Sequence, residues 1–190
     1  NPYDTTAYRY PNERWILIGS FLLVFLVIVL TSTATFCLSF IFVVAAIVFA
    51  YFSVQSHHKQ LIQASYQVTA QNEPELASVI HEASQRLQVE PVNTFVLRSR
   101  EVNAYTFGLD SPKAIVLYSP LFQLMDREEL QFIIGHEMGH VKLGHTVLNS
   151  VVGGMAGIPA SISAALLLNL AFMSWNRACE YSADRAGLLA

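Results

Sequence analysis

His136-Glu137-Met138-Gly139-His140 is the run in this chain whose residue types and spacing could do chemistry. Two histidines four residues apart on a helix lie one above the other, about 5–6 Å apart at Cβ. Both imidazoles can then reach a single ion at about 2.0–2.1 Å. Glu137 falls beside them, where it could take a proton from a water activated by that ion. The competing reading is a chance match, and the helical setting of the motif argues against it.

That setting is the stretch Arg127 to Leu143. Asp126 and Glu129 have the spacing of a capping box, and Leu130, Ile133, Ile134, Met138 and Val141 follow at helical intervals. Glu137 lies inside this apolar arc, between Ile133 and Val141, with Gln131, Gly135, Gly139 and Lys142 on the opposite face. A carboxylate on a buried stripe is costly unless something satisfies it, and a metal site would.

A catalytic zinc usually has three protein ligands and an open position. Glu180 and Asp184 are four apart on a later helical stretch, among small or apolar neighbours. Glu180 would complete a His₂Glu set, and Asp184 would orient one of the histidine rings. Taken alone, such an acidic pair is ordinary surface decoration paired with Arg185 or Arg177. The upstream motif favours the ligand reading. His145 is five residues beyond His140, about 140° round the helix, and is not expected to be a ligand.

The elements that must position these residues sit in an unusual composition. Of 190 residues, 53% are hydrophobic and only 13% charged, against about 25% charged in ordinary soluble domains. The mean hydropathy is positive. The net charge of −3 comes with no basic run, which leaves nucleic-acid binding without an electrostatic footing. Cys37 and Cys179 give no disulfide framework. Residues 1–14 are polar and turn-rich. No charge occurs from Trp15 to Phe52, a run of about 57 Å if it were one helix, nearly twice the roughly 30 Å hydrocarbon layer. Two passes, broken near Thr31 to Thr35, fit better, with Trp15 and Tyr51 as interfacial aromatics. A hairpin buried in a soluble core is the alternative. Arg9, Arg14 and Lys59 flank the outer ends while the connector is uncharged, which puts both ends and the following domain in the cytoplasm.

From about residue 60 the chain becomes mixed and globular. Gln60 to Ala70 reads as a helix leaving the membrane. Pro74 opens a second helix with Leu76, Val79, Ile80, Ala83 and Leu87 on its buried face and His81 off it. Short β-type runs follow at Thr94–Leu97, Val102–Phe107 and Ala114–Tyr118, with a turn at Gly108 to Pro112 between the last two. Their edge could hold an extended peptide or merely roof the core. The uncharged stretch after Lys142 is expected to turn near Gly153 to Pro159 and return towards the metal.

These motifs together resemble the integral-membrane gluzincin metallopeptidases, which include the HtpX-type proteases and the CaaX prenyl endopeptidases. The resemblance rests on Gly135 to His140, Gly144-His145 and Glu180 to Gly187, and it covers roughly residues 15–190. The Glu180-x-x-x-Asp184 element, the Asn103-Ala104 pair and the N-terminal hairpin fit the HtpX-type branch. The resemblance implies zinc-dependent cleavage of membrane-associated or misfolded proteins. It also implies that Asn103 and Ala104 line the substrate strand, that Glu180 is the third ligand and that Asp184 supports the first histidine.

The expected fold is mostly α with a small β-sheet (α+β): two transmembrane helices over 15–52, then a zincin-like metallopeptidase domain over 53–190 that is incomplete at its C-terminus. The apolar hairpin 146–175 would dip into the bilayer or pack as core. The expected function is that of a membrane-bound zinc endopeptidase with one Zn²⁺ per chain. His136, His140 and Glu180 would be its ligands and Glu137 its base. Its partners would be polypeptide substrates and the lipid bilayer of a bacterial plasma membrane, with the catalytic domain on the cytoplasmic side. A prenyl-protein endopeptidase and a non-catalytic zinc-binding membrane scaffold are the alternatives.

Overall fold

A computed structural model describes residues 5, 8–34, 38–90, 92–108, 113–147 and 163–190. The order of elements is α1 (Glu13–Ala34), α2 (Leu38–Gln63), β1 (Ser65–Gln67), α3 (Pro74–Leu87), β2 (Val92–Leu97), β3 (Ala104–Phe107), β4 (Lys113–Tyr118), α4 (Leu121–Leu124), α5 (Arg127–Leu143) and α6 (Ser163–Leu189). The chain is mostly helical with one small mixed sheet.

The four strands run in the order β1-β2-β4-β3. β2 and β4 are parallel from Val92↔Lys113 to Leu97↔Tyr118, and β3 pairs antiparallel with β4 from Ala104↔Leu117 to Phe107↔Ala114. Among the described residues β3 is therefore an edge strand. Strand side chains alternate between faces. Ala104 packs with the core that holds α3 and α5, while Tyr105 and Phe107 join Leu61 at the end of α2 on the other face.

The main core lies between sheet and helices, where Ile115, Leu117, Ile134, Met138, Ala83 and Ala186 are buried. Tyr8 is in this core as well, at 1% exposure, so the polar N-terminal segment is not a free tail. The expected helix over Gln60 to Ala70 stops at Gln63; Ser65–Gln67 instead pairs antiparallel with β2. β-type Tyr66 fits that pairing, and the sheet's demand for a partner strand overrides the helical pattern. His58 is buried, its ring stacked on Phe107 at 4.0 Å between centroids.

α3 begins at Pro74, where a missing N–H costs nothing, and ends at Gln88 in the left-handed conformation. Its buried residues are Leu76, Val79, Ala83 and Leu87; Ile80 is half-buried and His81 exposed. The parts of the expected turns at residues 109–112 and 153–159 lie outside the described residues. Among the described residues one helix is long and apolar enough to cross a membrane, the stretch Glu13–Leu30 of α1. Trp15, Leu22, Phe25 and Leu30 stand exposed along it. Ile16, Leu17 and Val24 pack against Phe172, Trp175 and Cys179 of α6.

Candidate metal centre

α5 carries both histidines. Its capping box is complete: the Asp126 side chain accepts from the Glu129 N–H, and the Glu129 side chain accepts from the Asp126 N–H. The helix ends at Gly144 with φ +79°, a conformation costly for any residue with a Cβ. The face holding Gly135 and Gly139 does not meet solvent. A Cβ on Gly139 would lie 2.7 Å from Ala186 Cβ and 3.2 Å from Ala183 Cα, and one on Gly135 would collide with Ala190 Cβ. α6 thus approaches α5 almost backbone to backbone, with Gly187 facing the Phe132 carbonyl from the other side. This close approach lets α6 deliver side chains as short as Glu180 and Asp184 to the histidines.

His136 Nε2 and His140 Nε2 face each other at 3.2 Å. Glu180 presents Oε2 to the first at 3.4 Å and Oε1 to the second at 3.6 Å. The outer nitrogens are both engaged: His136 Nδ1 lies 3.0 Å from Asp184 Oδ1, and His140 Nδ1 lies 3.0 Å from His145 Nδ1. His145 Nε2 in turn lies 3.2 Å from Glu13 Oε1. An ionised carboxylate only accepts, so the hydrogen-bond network assigns the protons. Asp184 accepts from His136 Nδ1–H. Glu13 accepts from His145 Nε2–H, which leaves His145 Nδ1 to accept from His140 Nδ1–H. With both imidazoles neutral, the Nε2 atoms are bare lone pairs pointing at each other and at a carboxylate. Four such acceptors converge favourably only on a cation or a proton, and the donor set of two imidazoles and a carboxylate is that of a zinc site. The residues fit the ion.

The electrostatics agree. Burial works against a charged His136, but the Glu180 hydrogen bond and the charges of Glu137, Glu180 and Asp184 outweigh it and raise the pKa above the ordinary value. Burial dominates at His140 and pushes it down to about 3. Partial desolvation at the cleft wall works to raise Glu180, yet the two imidazoles hold it below the usual carboxylate range. Glu137 is buried, and burial raises its pKa, opposed by a hydrogen bond from Thr106 Oγ1 and by His136.

These groups line a cleft of about 560 Å³ whose walls are Val102 to Thr106 at β3, Phe132 and Ile133 on α5, and Asn176, Glu180 and Asp184 on α6. Asn103 is exposed and Ala104 half-buried at its rim. The structure therefore brings His136, Glu137, His140, Glu180, Asp184, Asn103 and Ala104 around one cleft. Sequence reasoning missed Thr106, and it set His145 aside without seeing its contact with His140. It also passed over Glu13, although a lone acid beside a long uncharged run is itself a signal.

The sequence matches the family described as "Peptidase family M48" over residues 70–190. It is 33% identical over 121 residues to the plastoglobule-localized metallopeptidase 48 of Arabidopsis thaliana, covering 60% of this chain and 35% of that protein. It is 38% identical over 72 residues to the CAAX prenyl protease 1 homolog of Dictyostelium discoideum, covering 38% of this chain and 17% of that protein. It is 31% identical over 85 residues to the protease HtpX homolog of Thermococcus kodakarensis, covering 44% and 29%. The chain thus spans about a third or less of the length of these curated relatives. No solved structure matches it significantly. With well over half its length inside the family match, and two imidazoles and a carboxylate meeting in the cleft of that same region, the chain belongs to peptidase family M48.

Proposed function

We propose that this chain is the membrane-anchored, zinc-dependent endopeptidase portion of an HtpX-like protein. The observation that carries the reading is the convergence of His136 Nε2, His140 Nε2 and the Glu180 carboxylate beside a buried Glu137. These three residues would hold one zinc per chain. Among the described residues no fourth histidine, cysteine or acid joins that group, which leaves an open position and disfavours a closed, purely structural site. Zinc, when bound, supplies a Lewis acid that polarises a carbonyl and brings the pKa of water towards about 7.

The rest is the work of side chains. Glu137 takes the proton of the attacking water and returns it to the leaving amine; burial raises its pKa above the ordinary carboxylate value, which favours holding the proton between the two transfers. Thr106 holds the carboxylate in place by hydrogen bonding. Asp184 fixes the ring of His136 from outside. The edge of β3, outermost in the sheet among the described residues, offers main-chain donors and acceptors to an extended polypeptide, with Asn103 and Ala104 at its entrance.

The anchor is the apolar run of α1 and the first part of α2, a hairpin over residues 15–52, followed by the peptidase domain over 53–190. Glu13 and His58, at its two outer ends, both touch the catalytic body, so one side of the bilayer carries both. The flanking Arg9, Arg14 and Lys59 make that side cytoplasmic, in a plasma membrane of bacterial type. The substrates are membrane-associated or misfolded polypeptides. The test is zinc analysis with a casein-degradation assay in detergent: wild type holds one zinc and degrades casein, while E137Q holds zinc and does not. Turnover unchanged in E137Q would sink the assignment.

A further inference from the structure

Two buried groups beside the cleft have no part in that mechanism. His145, 2% exposed, touches His140 at 3.0 Å through Nδ1 and Glu13 at 3.2 Å through Nε2. Glu13 is 3% exposed and stands at the head of the apolar helix α1, 132 residues away in sequence. A buried carboxylate is expensive unless its oxygens are satisfied, and here they are. Arg9 Nη1 donates to Oε1 at 3.0 Å, and Ser182 Oγ donates to Oε2. Ser182 itself receives the Tyr10 N–H at 2.8 Å, so α6 supplies the other side of the clasp.

We propose that Glu13 is a positioning residue of the metal centre, acting through His145 to fix the tautomer and ring orientation of His140. The inference rests on the zinc reading of His136, His140 and Glu180. One set of proton directions leaves His140 ready for an ion. Glu13 accepts from His145 Nε2–H; His145 Nδ1, unprotonated, accepts from His140 Nδ1–H; His140 Nε2 is left bare towards the ion. Where a metal-binding histidine usually leans on one carboxylate, this one leans on a histidine that leans on a carboxylate. The other nearby partner is Cys179, whose sulfur lies within 4.8 Å of the Glu13 and His145 donor atoms. A second ion there would take one of the two His145 nitrogens that now serve His140 and Glu13 and break that step of the chain, so the relay and a second metal exclude one another.

The experiment measures zinc affinity by chelator competition in detergent at fixed pH, together with the visible spectrum of the Co²⁺-loaded protein. The variants are E13L, E13Q, H145L, H145Q and C179A, with H136A as control. Loss of outer-shell support costs a ligand set about 10–100-fold in affinity, and that loss is expected of E13L and H145L, with an altered Co²⁺ spectrum. H145Q, whose amide can accept from one side and donate to the other, should restore affinity close to wild type; a purely packing role would favour Leu over Gln instead. E13Q, which keeps an acceptor without the charge, should fall between wild type and E13L, and it decides the matter if the Leu variants do not fold. Wild-type affinity in E13Q, E13L and H145L, with binding abolished in H136A, would overturn the relay alone. A second zinc equivalent lost in C179A would overturn it in favour of an ion at that cluster. If H136A binds zinc as wild type does, the metal centre itself is wrong and this inference goes with it.

Discussion

Glu137 sits where burial raises its pKa, and the Thr106 hydroxyl, donating to its carboxylate, is the largest of the influences that hold it down. T106V removes that donor without changing the volume much. The Glu137 pKa should then rise further, and the acid limb of the cleavage rate should move to higher pH, seen in a pH–rate profile. E137Q should lower cleavage by about 10²–10⁴-fold while zinc content stays at wild type. A third consequence follows from His136, whose raised pKa means that a metal binding there competes with a proton. Affinity should therefore increase as pH rises through and just above the ordinary histidine range, with proton release on binding; calorimetry in buffers of different ionisation enthalpy would measure it. Much of this was legible in the residues, since spacing alone puts His136 and His140 on one face and Glu137 on a buried stripe. Thr106 was not, because strand pairing, not proximity in sequence, brings it to Glu137.

At the scale of elements, the pairing of α5 with α6 shows where a hydropathy wheel misleads. It assigns Gly135 and Gly139 to a face opposite the apolar stripe, yet that face is packed, because small residues let two backbones approach where large ones cannot. Ala183, Ala186 and Gly187 repeat the small-residue pattern on α6, a signal that hydrophobicity does not carry. G139A should cost about 1–3 kcal/mol by overpacking and should weaken zinc binding as α6 is pushed away. Thermal denaturation and chelator competition would read the two effects. The junction of α2 with the sheet yields another prediction. Burial, aided by the charge of His57, lowers the His58 pKa to about 4, so the unfolded chain binds a proton below about 6.5 that the folded chain refuses. Stability should fall as pH drops from about 6.5 towards 4, by about 3 kcal/mol at most. Replacing His58 by Phe should flatten that part of the pH–stability curve.

Across the whole molecule, the strand runs and the helices at Pro74 and Arg127 were readable from turn residues, periodicity and capping. The short strand β1 was not, because only a partner far along the chain makes three residues into an edge of a sheet. Nor was the docking of the N-terminal segment, whose polar composition hides one large side chain sunk in the core. Tyr8 has a further consequence for anyone wishing to work without detergent. Trimming away residues 1–52 to obtain a water-soluble enzyme would also pull a tyrosine out of the core shared by α3, the sheet and α5. A void of that kind costs about 3–5 kcal/mol, a large part of the 5–15 kcal/mol that holds a typical domain together. The trimmed protein should therefore melt far lower than its intact parent, and Y8A in the intact chain should reproduce much of that drop in a melting curve. The part that looks like a disposable anchor is also a cornerstone of the catalytic body.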